Sequence, residues 1–143
     1  MSLFATGFPF QIKKKDFIVF NLFNINNFYF FCQHITLIPT LKKLLEQPDN
    51  QIDAFLAPGH VSMVIGTHAY DFISQQFHRP LVVAGFEPLD LLQGVSMLVE
   101  QKIANHPCVE NQYRRVVPDD GNALARQAME EVFSVSGDSE WRG

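Results

Sequence analysis

Three short turns carry the residues of this chain best suited to chemistry. They are Cys32-Gln33-His34, Pro58-Gly59-His60 and Gly85-Phe86-Glu87-Pro88. Each follows a short apolar run, and each brings a titratable side chain. An imidazole at His60, after a glycine and before a helix, suits general acid–base work or metal ligation. A capping or core histidine making one hydrogen bond is the competing reading. Glu87, between Gly85 and Pro88, falls at a helix N-terminus, which favours an anion, so capping alone would account for it. Cys32 and His34 are one residue apart, and at a strand end they face the same side. They could form a thiolate nucleophile or a metal pair, against the default of an inert buried thiol. Asn111, Gln112, Tyr113, Arg114 and Arg115 form a polar cluster further on. Two arginines beside a tyrosine could bind an anion or hold a neighbouring domain, and a solvated face or edge salt bridge is the alternative. Cys108, in a loop, is given no role. No phosphate-cradling glycine loop and no serine nucleophile elbow occurs.

The elements that must position these residues alternate in type. Asn27 to Cys32 (NFYFFC) is short and aromatic, as a buried strand is. Thr36 to Gln47 is a helix with Leu37, Leu41, Leu44 and Leu45 on one face. Thr36 can cap it, and Pro39 fits its first turn. Asp53 to Ala57 is a second apolar run, ended by a turn at Pro58-Gly59-His60. His68 to His78 is helix-like. Leu81 to Ala84 (LVVA) is the clearest strand, and Pro88 to Asn105 the clearest helix. Leu91, Leu92, Val95, Leu98, Val99 and Ile103 follow its period and define its expected core face. Gly94 inside it costs about 1 kcal/mol relative to alanine, so close packing is expected there. Gly121 to Phe133 is a final amphipathic helix with Asn122 as its cap. Three strand–helix repeats with apolar strands predict an α/β fold. The expected form is three-layered, a small and mostly parallel sheet flanked by helices, and incomplete as a domain. In such sheets ligands sit beyond the carboxyl ends of the strands. His34, His60 and Glu87 would all meet there.

Composition narrows the function classes. The 143 residues make one domain of ordinary size or a piece of a larger protein. At 47% hydrophobic and 18% charged, the chain can form a core, and wholesale disorder is not expected. Eleven basic against fifteen acidic residues give a net charge of −4, with no surplus to neutralise a phosphate backbone. Nucleic acid is therefore not an expected partner. Two distant cysteines exclude a disulfide-rich secreted scaffold and a self-contained cysteine-ligated metal cluster.

Residues 1–26 differ in character from the rest of the chain. Nine of the fourteen phenylalanines fall between Phe4 and Phe31, with Lys13-Lys14-Lys15 and four asparagines among them. These are residues that A/T-rich codons produce. The segment reads as atypical, either a shifted frame or disorder. Four asparagines interrupt its apolar run, whereas a spanning helix needs about 20 mostly apolar residues. No membrane association is expected.

Three blocks carry a family resemblance: LAPGHVSMVIGT (Leu56 to Thr67), VVAGFEPLDLLQG (Val82 to Gly94) and VENQYRRVV (Val109 to Val117). They resemble the HypD family of nickel–iron hydrogenase maturation proteins. The likeness runs in order from about Phe28 to Gly143. Ser2 to Phe8 resembles the strand entering another family motif, but Pro9-Phe10-Gln11-Ile12 stands where the family has Glu-Thr-Thr and a proline. The resemblance implies that residues 27–143 match the family's second α/β domain, as an internal fragment of the parent. It implies a cytoplasmic scaffold for assembly of an iron centre carrying two cyanides and one carbon monoxide. A HypC-like small chaperone and a HypE-like cyanide donor are the implied partners. Iron and an iron–sulfur cluster belong to the full-length family. The cysteine motifs that hold them lie outside this stretch, so no cofactor and no turnover activity of its own are expected in this chain. The family's cleft histidine falls on His60, and its Gly-Phe-Glu-Pro turn on Glu87, with His34 third. Asn111, Tyr113 and Arg114 match family residues and are expected to serve domain or partner contacts. A cofactor-free α/β interaction module, or an inactive pseudogene product, is the alternative.

Overall fold

The computed structural model describes residues 6–7, 10–12, 36–135 and 139–140. Along the chain the elements are β1 (Thr6–Gly7), β2 (Phe10–Ile12), α1 (Leu37–Leu45), β3 (Phe55–Pro58) and α2 (Gly59–Ile65). A 3-10 turn (His68–Tyr70), α3 (Asp71–Phe77), β4 (Leu81–Ala84), α4 (Pro88–Ala104) and β5 (Val109–Asn111) come next. Last are α5 (Ala123–Val132), β6 (Phe133–Val135) and β7 (Ser139–Glu140). No helix among the described residues is long and apolar enough to cross a membrane.

These elements divide between two compact units. Residues 1–46 with 127–143 form one of them. There β1 pairs antiparallel with β7, and β2 with β6. Helix α1 belongs to the same unit, with Thr36 at its N-cap position, Lys42 and Lys43 in its last turn and Leu45 buried. The strand expected at Asn27–Cys32 lies outside the described residues, as do Cys32 and His34.

Residues 47–126 form the other unit, built on a parallel sheet in the order β3–β4–β5. All four residues of β4 are buried. Successive side chains of a strand point to opposite faces. Burial of Leu81 and Val83 together with Val82 and Ala84 therefore means that the sheet is covered on both sides, as a three-layer α/β arrangement requires. Tyr70 and Ile73, from the β3-to-β4 connection, are also fully buried. The third strand of this sheet is Val109–Asn111, which the sequence presents as polar. Glu110 is satisfied by Gln101, whose Nε2 donates to its Oε2 at 2.7 Å. Asn111 donates to the Val117 carbonyl at 2.9 Å.

Helix α4 runs as expected, but its buried face is not the one its apolar period marks. Asp90, Gly94 and Gln101 are buried, whereas Leu92, Val95, Val99 and Ile103 are exposed. Two observations account for the reversal. Buried Gln101 is satisfied on both sides of its amide, since its Oε1 accepts from the Cys108 N–H at 2.9 Å. Gly94 lets the helix lie directly on the sheet. A Cβ there would stand 2.7 Å from Leu56 Cδ1 and 3.1 Å from Ala84 Cβ. Gly94→Val is therefore expected to destabilise the unit by about 2–3 kcal/mol, since an overpacked site forces neighbours to move. Urea unfolding followed by far-UV circular dichroism checks this.

The loop leaving β3 contains no free turn. Helix α2 begins at Gly59 itself, so His60 stands in its first turn. Ser62 Oγ donates to the Pro58 carbonyl at 2.9 Å and shares a buried hydrogen bond of 3.0 Å with Tyr70 Oη. At the far end Asn122 caps α5 as expected, accepting from Ala125 N–H at 3.0 Å.

Candidate functional site

Parallel strands bring their carboxyl ends to one edge of the sheet, and most of the sequence candidates collect there. His60 follows β3, Gly85-Phe86-Glu87 follows β4, and Gln112-Tyr113-Arg114-Arg115 follows β5. The His60 and Phe86 rings lie 5.1 Å apart between centroids, tilted by 43°. His60, Phe86 and Glu87 are all exposed, so the edge offers an imidazole, a phenyl ring and a carboxylate to solvent. Glu87 holds the N-cap position of α4, but its side chain makes no capping bond. Its carboxylate turns to Arg115 instead, with Nη2 3.6 Å from Oε2. Capping alone does not account for Glu87.

Beneath this rim lies an ion pair that the sequence did not single out. Asp90, in the first turn of α4, is buried. Arg115 Nη1 donates to its Oδ1 at 3.0 Å and Nη2 to its Oδ2 at 2.5 Å, a two-pronged contact. Gln112 Nε2 adds a bond to Oδ1 at 2.8 Å and another to Gln93 Oε1 at 3.1 Å. The Arg115 guanidinium above all, then hydrogen bonding with Glu87 and with the Gln112 amide, holds the Asp90 carboxyl well below the usual carboxylate range, against the effect of burial. Asp90 in turn raises the Arg115 pKa. A buried carboxylate needs such partners to stay charged. The signal in the sequence was faint: an acid three residues after Glu87 reads as an ordinary helix-start residue.

Tyr113 joins the pieces. Arg115 Cζ sits 4.3 Å above the centre of its ring, a cation–π contact. The ring also lies hard against both preceding turns. A Cβ on Gly59 would stand 2.7 Å from Tyr113 Cδ1, and one on Gly85 would stand 2.8 Å from Cε2. Arg114 turns back locally, its Nε donating to the Asn111 carbonyl at 3.1 Å. Asn111 is buried, and its Oδ1 makes no hydrogen bond among the described residues. His34 lies outside the described residues.

Among the described residues, no group of three His, Cys, Asp or Glu side chains could hold a metal ion. Cys108 stands without a second thiol among them, and burial, followed by the Glu110 charge, pushes its pKa up. These donors do not fit an iron–sulfur cluster, which is held by several thiolates. A polar cavity of about 400 Å³ opens at the opposite edge of the sheet, lined by His78, Arg79, Gln101, Lys102 and Asn105 among others.

Comparison with known proteins places the chain in a family. The model of the hydrogenase formation hypA family, HypD, matches residues 3–143. The chain is 80% identical over 133 residues to the hydrogenase maturation factor HypD of Escherichia coli (strain K12), covering 93% of this chain and 34% of that protein. It is 50% identical over 117 residues to the HypD maturation factor of Rhodobacter capsulatus, covering 82% of this chain and 31% of the relative. It is 44% identical over 147 residues to the hydrogenase expression/formation protein HupD of Azotobacter chroococcum mcd 1, covering 98% and 39%. The chain thus spans about a third of the length of the curated relatives it matches.

Proposed function

Because the chain belongs to the HypD family of hydrogenase-formation proteins, we propose that it acts as a segment of a hydrogenase maturation factor. In finer terms, the parent protein scaffolds assembly of an iron centre bearing two cyanides and one carbon monoxide in the cytoplasm. It works with a HypC-like small chaperone and a HypE-like cyanide donor. Iron is cargo in this reading, and the parent's iron–sulfur cluster is held by cysteines outside this segment. The observation that carries the reading is the 80% identity to a named maturation factor over 93% of the chain.

The segment's own contribution is the carboxyl edge of its sheet. His60 supplies an exposed imidazole in the first turn of α2 for proton transfer. Glu87 supplies a carboxylate at the same edge, paired with Arg115 rather than spent on capping. His34 is proposed as a third catalytic residue on the family resemblance alone. Asn111 and Arg114 serve the local architecture of the loop after β5, a reading supported by the bonds from Asn111 Nδ2 to the Val117 carbonyl and from Arg114 Nε to the Asn111 carbonyl.

A chimaera tests this. Residues 28–143 replace the matching segment of the Escherichia coli relative in a strain lacking its own factor, and hydrogenase activity is assayed. The chimaera is expected to restore activity, and the isolated 143-residue chain to give none. His60→Ala and Glu87→Ala are each expected to cut restored activity by about a hundredfold, the lower range for losing a positioned proton-transfer group. Arg114→Ala is expected to leave it unchanged. The exposed apolar residues of α4 favour a second reading, a cofactor-free interaction module. It predicts the reverse order, with Arg114→Ala the damaging change. Full activity in the His60→Ala, Glu87→Ala double variant would sink the site assignment.

A further inference from the structure

We propose that Tyr113 is a positioning residue: its ring is the spacer that fixes the His60 turn against the Glu87 turn. The inference rests on the reading of the carboxyl edge as the working surface. Two diagonally opposite atoms of the ring carry it. Cδ1 lies 2.7 Å from where a Cβ of Gly59 would stand, and Cε2 lies 2.8 Å from where a Cβ of Gly85 would stand. Real Cβ atoms do not come this close, so the ring takes up part of the space a side chain at either turn would need, together with the Ala84 carbonyl oxygen at Gly59 and the Asp90 and Glu87 carboxylates at Gly85. Glycine at both places lets one ring touch both backbones. His60 follows the first glycine directly, and Phe86 and Glu87 follow the second.

The ring is itself held. Arg115 lies over its face at 4.3 Å and is anchored through two nitrogens to buried Asp90. Asp90 is in the first turn of α4, three residues past Glu87, and Gln112 bonds to the same carboxylate. The chain of contact therefore closes on itself. The β5 loop grips the start of α4, and its tyrosine keeps the β3 and β4 turns apart. The tilted His60–Phe86 ring contact at 5.1 Å is the readable consequence of that spacing. The spacer needs a flat six-membered ring and not the phenol hydroxyl.

The test uses the full 143-residue chain for spectroscopy and the chimaera for maturation. In Tyr113→Leu, the nuclear Overhauser contact between the His60 and Phe86 rings is expected to vanish while the methyl signals of Ile73 and Val83 stay in place. Hydrogenase activity restored by the chimaera is expected to fall about tenfold. Tyr113→Phe is expected to keep both the contact and the activity, which a role for the hydroxyl would not allow. If Tyr113→Leu does not fold, Tyr113→Met serves instead, since it keeps an apolar side chain at 113 but supplies no flat ring to hold the turns apart. A retained His60–Phe86 contact in the variant that folds overturns the proposal. A lost contact with full maturation upholds the spacer and sinks the functional reading of the edge instead.

Discussion

Gly66→Ala is expected to destabilise the 47–126 unit by about 3–5 kcal/mol, the sum of a backbone cost and a collision. Gly66 ends α2 with φ 82° and ψ 172°. That region is essentially closed to residues with a Cβ, and holding one there costs about 1–3 kcal/mol. Space is missing as well. The new methyl would run into the Asp119 carbonyl oxygen, and it would stand 2.6 Å from the Gly121 nitrogen and 2.8 Å from the Asp120 carbonyl carbon. These are backbone atoms and cannot swing away. They are held in place, because Thr67 N–H donates to the Asp119 carbonyl at 2.9 Å and Asn122 N–H donates to the Val64 carbonyl at 3.0 Å. Thr67 Oγ1 also donates to Asp119 Oδ1 at 2.7 Å. Against a typical domain stability of about 5–15 kcal/mol, such a loss is large. Urea titration at neutral pH measures it. A midpoint unchanged from the parent chain would mean that the loop at 118–121 is not fixed against α2.

What the sequence could disclose came from local rules. Leu81 to Ala84 is β-branched, apolar and stopped by Gly85, and it is the central strand. Pro88 opens α4 at its first turn, and Asn122 caps α5, because both features depend on neighbours within four residues. Hydrophobic period marks where apolar side chains lie around a helix axis, not which neighbour they meet. Leu92, Val95, Val99 and Ile103 keep the period yet are exposed, while a glycine and two satisfied polar residues face the sheet. Val109–Asn111 could not be recognised as a strand because its polar side chains find partners nine residues back, at Gln101, or in the loop beyond, at Val117.

The candidate site was legible in its rim and not in its base. His60 and Glu87 each stand close to a turn glycine, and position alone drew attention to them. Asp90 depends on Arg115, twenty-five residues further on, and no spacing rule links the two. The family resemblance points Tyr113 to domain or partner contacts, and no spacing rule links it to the two turns. The glycines at 59 and 85 read as ordinary turn residues, yet the Tyr113 ring is among the atoms that crowd both.

Arg115→Met is expected to harm stability far more than the loss of one exposed salt bridge would. Arg115 is about half exposed, but Asp90 is not, and removal of the guanidinium leaves a buried carboxylate with Gln112 as its remaining close donor. The double variant Asp90→Asn, Arg115→Met is therefore expected to be more stable than Arg115→Met alone, because it removes the stranded charge along with its partner. The same pair sets the acid response. The Asp90 pKa is depressed in the folded chain, chiefly by Arg115. A depressed carboxyl contributes stability that is fully present above its unfolded value of about 3.9 and is lost as pH falls below that value toward the folded one. The parent chain should thus lose this contribution below about pH 4, and Asp90→Asn should show a shallower fall over the same range. Urea midpoints at pH 7 and pH 3 for the four members of the cycle decide the matter. Equal acid slopes in the parent and Asp90→Asn, or a double variant less stable than Arg115→Met, would mean that the carboxylate does not depend on Arg115 to remain charged.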